Sequence, residues 1–222
     1  MAFPTQSLPD PLPRNPFTLA AEWLEQAMAD ADQPNPNSMV LATVDAQGQP
    51  SARVLLCKEL LVKSGGVVFY TNYESRKGRE LETTSRAAVV FHWDHRHRQV
   101  RVEGLVERVP ESVSDAYFAS RPWQSRLGAW ASKQSQPIAS LATLRERMGA
   151  TARHFDIAYD GPGTPEPAEV NVDIPRPLHW GGYVLVASAV ELWVEGPFRI
   201  HERVRWTRVS REGEWSTERL QP

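Results

Sequence analysis

The most concentrated chemistry in this chain lies between Tyr117 and Ser135, in the stretch YFASRPWQSRLGAWASKQS. Tyr117, Arg121 and Ser125 recur at a spacing of four. Tyr117 and Arg121 fall on one face of a helix end, and Pro122 ends that helix by disfavouring α geometry at Arg121. Two hydroxyls and a guanidinium converging on one point suit a phosphate. The guanidinium supplies a planar fork of charge-assisted donors, and the hydroxyls take the remaining oxygens. The same residues also read as an Arg satisfying helix-end carbonyls, with Tyr117 and Trp130 as ordinary core.

Three other constellations stand out. Thr71-Asn72 ends an expected strand and Ser75-Arg76-Lys77 opens an expected helix. A helix N-terminus carries free N–H groups and the positive end of the dipole, so two cations in its first turn conflict with it unless an anion is bound. Arg53 and Lys58 bracket the apolar run Val54–Cys57; an odd number apart, they fall on opposite faces of a regular strand unless a bulge re-aims one. Read as extended chain, Arg199-Ile200-His201 puts Arg199 and His201 on one face, where they can hold an anionic or phenolic ring substituent and help move a proton. An exposed strand face continued by Arg203 and Arg205 is the other reading. His92, His95 and His97 surround a hairpin turn with no Cys or carboxylate framework, so no metal site is expected. A dinucleotide-type G-x-G-x-x-G and a P-loop are both absent.

The elements that must position these residues follow from periodicity. Residues 1–15 are rich in Pro and read as a flexible arm. Asn15-Pro16 caps a helix with an apolar stripe at Phe17, Ala20, Ala21, Leu24, Ala27 and Met28. Strands are expected over 39–44, 51–58, 67–71, 87–93 and 99–109, the last alternating Val100, Val102, Leu105 and Val106 with charged residues. A short helix runs from Ser75 through Thr83, and further helices cover 111–120 and 138–155. Residues 159–177 form a Pro- and Gly-rich loop or lid. Closing strands cover 183–190, 191–193, 201–208 and 214–219. Many short antiparallel strands with a few helices indicate a mainly β, barrel-like domain spanning 16–222.

Composition narrows the class. The 222 residues are 41% hydrophobic and 23% charged, as in a globular chain with a real core. A formal net charge of −2 gives no reason to expect nucleic-acid binding. Cys57 is the single cysteine, which excludes an intrachain disulfide and fits a reducing compartment. No apolar run is long enough to span a bilayer, and no secretory pattern opens the chain, so the expected location is the cytoplasm.

In order and wording, several blocks resemble the pyridoxine/pyridoxamine 5′-phosphate oxidase family: RVLLCK (Arg53–Lys58), FYTNYESRKG (Phe69–Gly78), RQVRVEG (Arg98–Gly104), the Tyr117–Ser135 stretch, WGGY (Trp180–Tyr183) and ELWVEGPFRIHER (Glu191–Arg203). The resemblance runs from Pro16 to the closing RLQP. It implies a split β-barrel binding FMN between the subunits of a homodimer, with a C-terminal dimerisation and substrate segment at 180–222. The implied reaction oxidises pyridoxine or pyridoxamine 5′-phosphate to pyridoxal 5′-phosphate, with O2 as acceptor. It yields hydrogen peroxide and, from the amine, ammonia. The implied cofactor contacts are Arg53, Val54, Leu55, Leu56, Cys57, Lys58, Tyr70, Thr71, Arg76, Lys77, Gln99, Gln134, Ser135, Trp193 and Arg203. Lys58, Tyr117, Arg121 and Ser125 are implied to hold the substrate phosphate, and Arg199 and His201 to lie over its ring.

Three departures from the family pattern matter, and the first two leave open a changed substrate. The chain before Pro16 is short and lacks the Arg- and Tyr-bearing segment that folds over the substrate in many members, so closure is expected to be weaker or to come from the 159–177 loop. Trp193-Val194-Glu195-Gly196 places a carboxylate where Trp-x-Gly-Gly is usual, and Trp123 occupies a variable position in the phosphate-binding stretch. Rival readings are a flavin oxidase of the phenazine-pathway type, a flavin- or pyridoxal-phosphate-binding protein without turnover, and a barrel without ligand. Intact Tyr117, Arg121 and Ser125 speak against the first, and Arg199 with His201 against the second.

Overall fold

The computed structural model describes residues 7–30, 33–161, 164 and 173–222, so most of the expected 159–177 loop lies outside the described residues. The chain divides into two compact units. Unit 1 comprises Met1–Phe69, Glu80–Glu107 and Tyr183–Pro222, and unit 2 comprises Tyr70–Arg79 and Arg108–Gly182.

Helix α1 (Pro16–Ala29) starts as its sequence dictates. Asn15 Oδ1 accepts the Phe17 N–H at 3.0 Å, and Pro16 occupies the first helical position, where no N–H is needed. Its buried face is Phe17, Leu19, Ala20, Trp23 and Ala27, rotated from the expected stripe, and Met28 is exposed. Trp23 turns the face because Arg98 packs over its ring, 4.7 Å from the centroid. Before the helix, Leu8 is buried, its N–H donates to Glu202 at 3.1 Å, and the Pro13 carbonyl accepts Trp206 Nε1 at 3.1 Å.

Strands β1 (Ser38–Val44) and β2 (Pro50–Leu56) form the expected hairpin. Asp45 Oδ1 takes the N–H groups of Gln47 and Gln49, and Gly48 supplies a left-handed φ of 82°. Then follow β3 (Glu59–Leu61), β4 (Gly66–Asn72), helix α2 (Arg76–Thr84), β5 (Arg86–Trp93) and β6 (Arg98–Arg108). Helices α3 (Glu111–Ala119), α4 (Trp123–Ala131) and α5 (Leu141–His154) come next, and β7 (Trp180–Val194), β8 (Glu202–Thr207) and β9 (Ser216–Leu220) close the chain. Among the described residues no helix is long and apolar enough to cross a membrane.

The nine strands make one sheet in the order β2-β1-β5-β6-β7-β4-β3, with β8 on β7 and β9 on β8. The pairings of β1 with β2 and β5, β3 with β4, β5 with β6, β7 with β8 and β8 with β9 are all antiparallel. The mainly β class with peripheral helices is therefore the one expected. In β6 the inward phase is Val100, Val102, Gly104 and Val106, and Leu105 points out, 47% exposed. Gly104 holds that inward place because a Cβ there would lie 1.9 Å from the Val186 carbonyl oxygen.

The sheet divides along β7. Ala187 N–H donates to Gly65 O beside β4, and Ser188 O accepts from Arg208 N–H beyond β8. Arg208 fills this junction. Its guanidinium donates to the carbonyls of Ala187, Ser64, Gly65 and Arg211 at 2.6–3.1 Å and lies over the Trp215 ring. Removing it leaves several carbonyls without their donor. Arg208→Met is expected to destabilise by about 3 kcal/mol, roughly 10 °C in Tm. A calorimetric shift under about 2 °C would show that the junction does not depend on it.

In unit 2, Phe118, Trp123, Leu127, Ala152, Ile157, Ile174 and Trp180 form the core, with Met148 and Phe155 packed against it. Of the stripe expected on the long helix, Ile138 and Leu141 are exposed, because α5 begins at Leu141 behind an Ser140 cap.

Candidate functional site

Unit 2 holds two cation-centred groups. Tyr117 lies in the last turn of α3 and Arg121 in the three-residue link that follows. Pro122 stops α3 as expected, but it also starts α4, whose first turn carries Ser125. That second helix is missing from the sequence reading, which takes Pro122 only as a terminator, whereas proline just ahead of a helix is equally favourable.

Around Arg121 the side chains are aromatic. Tyr70 and Tyr117 stack with centroids 3.8 Å apart, and Trp180 lies parallel to Tyr117 at 6.2 Å. The Arg121 guanidinium carbon sits 4.6 Å over the Trp180 ring and 5.4 Å from the Phe118 centroid. Its Nη1 is buried and makes no hydrogen bond among the described residues. Burial pushes the guanidinium below the usual arginine range; Tyr117 opposes that shift and Arg126 adds to it. A buried donor of a charged group without an acceptor costs about 1–3 kcal/mol or more. Helix-end carbonyls do not satisfy Nη1, which goes against the structural reading of this arginine. Trp180 belongs to the cluster; the sequence marks it as the first residue of WGGY but gives it no site role, since it opens a strand, where no helical spacing links it to Arg121.

The second group sits at the N-terminus of α2. Ser75 Oγ accepts the Gly78 N–H at 3.3 Å and so caps the helix. Lys77 is 6% exposed, and its Nζ donates to Thr71 Oγ1, Ser75 Oγ and Gln134 Oε1 at 3.2, 3.0 and 2.8 Å. Three expected residues, Thr71, Lys77 and Gln134, thus meet, although Gln134 is 57 positions from Lys77. Arg76 and Ser135 are exposed, the latter with φ 68°.

In unit 1, Arg53 is tied to a buried carboxylate. Its Nη2 lies 3.2 Å from Glu80 Oε2, and it bonds the hydroxyls of Thr43 and Ser51, both of which donate to Glu80. Glu80 is 5% exposed and was not anticipated, since nothing local links positions 27 apart. Arg203 is gripped in the same way: its Nε and Arg101 Nη1 both donate to buried Glu191, at 2.9 and 3.0 Å. The opposite-face placement of Arg53 and Lys58 does not apply, because β2 ends at Leu56 and exposed Lys58 lies in the link to β3. In the same run Val54 and Leu56 are exposed, Leu55 is half-buried and Cys57 is buried. Gln99 is half-buried opposite His92.

Burial pushes the Cys57 thiol up to about 12, so little of it is thiolate near neutrality. Disulfide reagents at about pH 8 are expected to leave the native protein unlabelled and to titrate one thiol after denaturation. Rapid native labelling would contradict this.

Arg199 and His201 do not share a face of extended chain. Pro197–Arg199 is a 3-10 turn, and Phe198 and Arg199 have left-handed φ of 57° and 65°. Gly196-Pro197 breaks β7 and reverses the chain, which the strand reading missed. Arg199 is exposed, while His201 packs against the Trp193 ring with centroids 4.7 Å apart. The three histidines near the β5–β6 turn take separate partners: His95 bonds Asp30, His97 bonds Glu195, and His92 lies 3.9 Å from Asp94. Among the described residues no three His, Cys, Asp or Glu side chains group to hold a metal.

Residues 24–152 match the family model described as pyridoxamine 5′-phosphate oxidase, and residues 180–222 match the pyridoxine 5′-phosphate oxidase C-terminal dimerisation region. The chain is 48% identical over 210 residues to the pyridoxine/pyridoxamine 5′-phosphate oxidase of Paraburkholderia xenovorans, covering 94% of this chain and 90% of that one. It is 44% identical over 207 residues to the same-named protein of Brucella canis, covering 93% and 94%. Among solved structures, PhzG from Burkholderia lata 383, in complex with tetrahydrophenazine-1-carboxylic acid, matches with a TM-score of 0.81 at 29% identity, covering 100% of this chain and 98% of that one.

Proposed function

The chain belongs to the pyridoxamine 5′-phosphate oxidase family, and from that premise we propose that it oxidises pyridoxine or pyridoxamine 5′-phosphate to pyridoxal 5′-phosphate, with FMN as cofactor and O2 as electron acceptor. Hydrogen peroxide leaves in both cases, and ammonia leaves when the substrate is the amine.

The observation that carries this reading is Arg121, whose buried Nη1 has no acceptor among the described residues, in a cluster that also holds Tyr117. A phosphate supplies the missing acceptor and the compensating charge in one group. Tyr117 and Ser125 add hydroxyls for its other oxygens, and Lys58 keeps the assignment the resemblance gives it. Arg199 and His201 bind the substrate ring and hold a proton at its phenolic oxygen.

The cofactor residues fit a phosphate-bearing group. A capped helix N-terminus and the buried ammonium of Lys77, held at Thr71, Ser75 and Gln134, support an anion site. Lys77, Arg76, Arg53, Gln134 and Ser135 are assigned to the FMN phosphate. Val54–Lys58, Tyr70, Thr71, Gln99, Trp193 and Arg203 are assigned to the rest of the molecule. Bound FMN would supply the two-electron chemistry and its reoxidation by O2. The match at 180–222 and the exposed apolar Val40, Val54 and Leu56 support a homodimer.

An aerobic assay tests the proposal. Protein saturated with FMN is mixed with pyridoxine 5′-phosphate, and pyridoxal 5′-phosphate is followed as its Schiff base. Product with equimolar peroxide is expected. A yellow, loaded protein that forms no product would transfer the reading to a related ring substrate, which the likeness to PhzG and the carboxylate at Glu195 favour. A preparation that takes up no FMN would overturn the cofactor assignment as well.

A further inference from the structure

We propose that Glu195 and His97 are positioning residues that fix the proton of His201 on Nε2. The proposal rests on the reading of His201 given above.

The contacts form a chain. His97 ends the turn between β5 and β6 in a left-handed conformation, with φ 52°. Its carbonyl accepts the Glu195 N–H at 2.9 Å, and its Nδ1 bonds Glu195 Oε2. Glu195 is thus held through both backbone and side chain by a residue 98 positions away. The next amide, Gly196 N–H, donates to His201 Nδ1 at 3.2 Å. Only glycine fits there, because a Cβ on Gly196 would lie 1.9 Å from the Ile200 carbonyl oxygen. The tilted Trp193 ring, 4.7 Å from that of His201, restricts the imidazole further.

A ring nitrogen that accepts an amide N–H carries no proton. The neutral imidazole of His201 therefore has its proton on Nε2 and presents a donor there. Its orientation depends on where the Gly196 amide points, and that amide directly follows the anchored Glu195. Both members of the Glu195–His97 pair are about one-third exposed, at 34% and 35%. Their effect is accordingly one of geometry, since an ion pair so open to water adds little by charge alone. Where the family pattern has glycine, this chain has a side chain that can reach the β5–β6 turn, and that turn supplies the histidine to receive it.

The test uses the FMN-loaded protein and four variants: Glu195→Ala, His97→Ala, the double substitution, and Glu195→Gln. Nitrogen–proton correlation spectra of the histidine rings report the tautomer of His201, and steady-state kinetics with pyridoxine 5′-phosphate report turnover. The wild type is expected to show Nε2 protonated and Nδ1 bare. Each alanine variant is expected to show mixed tautomers and a roughly tenfold lower kcat with KM within about twofold, a part of what positioned proton transfer supplies. The double variant should be no worse than either single one, because one linkage is broken in all three. Glu195→Gln keeps an acceptor for the His97 ring and should restore both the tautomer and most of the turnover. An unchanged His201 spectrum in the alanine variants overturns the proposal, as does a glutamine variant as impaired as alanine. If the protein does not oxidise pyridoxine 5′-phosphate at all, the reading of function fails while the ring spectra still decide this one.

Discussion

Arg121→Met is expected to raise KM for pyridoxine 5′-phosphate by roughly 100-fold while leaving the folded protein at least as stable as the wild type. The binding loss follows from two charge-assisted hydrogen bonds to a phosphate, together about 3 kcal/mol or more, and each 1.4 kcal/mol is about a factor of ten. The stability side is the more telling. Without an anion, Arg121 keeps a charged group partly out of water, with Nη1 unbonded among the described residues and the rings of Trp180 and Phe118 against it. Methionine fills similar space against Trp180 and Phe118 and removes the unsatisfied donor. A cofactor-free sample should therefore melt at the same temperature or slightly higher, while kcat at saturating substrate changes little. A fall of more than about 2 kcal/mol in stability with an unchanged KM would make Arg121 a structural residue of the α3–α4 link.

What the sequence discloses here, and what it hides, separates by the range of the interaction. The Asn15-Pro16 cap, the Asp45–Gln49 turn and the end of α3 just before Arg121 are legible because each is decided within a few residues. Thr71 and Lys77 could be placed together from the strand-to-helix junction, since Ser75 caps the helix between them. Glu80 behind Arg53 and Glu191 behind Arg203 could not, because partners of that kind are chosen by the fold and carry no spacing rule. The same holds for Trp180 beneath Arg121 and for His97 against Glu195. In β6 the inward phase runs on through Gly104, so Leu105 points out, and the approach of Val186 explains the glycine. The distinction matters for function. The cations legible from sequence are the ones proposed to meet ligands, and the hidden carboxylates hold two of them, Arg53 and Arg203, in place. Among the described residues Arg121 has no such carboxylate, and for that reason it points to a ligand most directly.

Replacing Arg199 should separate strain from chemistry. The residue is exposed, ends a 3-10 turn and has φ 65°, where a non-glycine side chain costs about 1–2 kcal/mol. Arg199→Ala keeps the strained backbone and removes the guanidinium. Arg199→Gly removes both, at an unfolded-state entropy cost of about 0.5–1 kcal/mol. The glycine variant should therefore be about 0.5–1 kcal/mol, or roughly 1–4 °C, more stable than both the wild type and the alanine variant. Both should lose kcat by roughly 100-fold or more, the order expected for a group that positions the ring and its proton, with KM for the phosphate-bearing substrate within a few-fold. Strain that is kept although glycine would relieve it, on an exposed side chain, is explained by a function needing arginine at that point. If Arg199→Gly turned over at the wild-type rate, or if its defect appeared in KM alone, the guanidinium would be a surface charge in an awkward turn. The assignment of the ring site would then rest on His201 by itself.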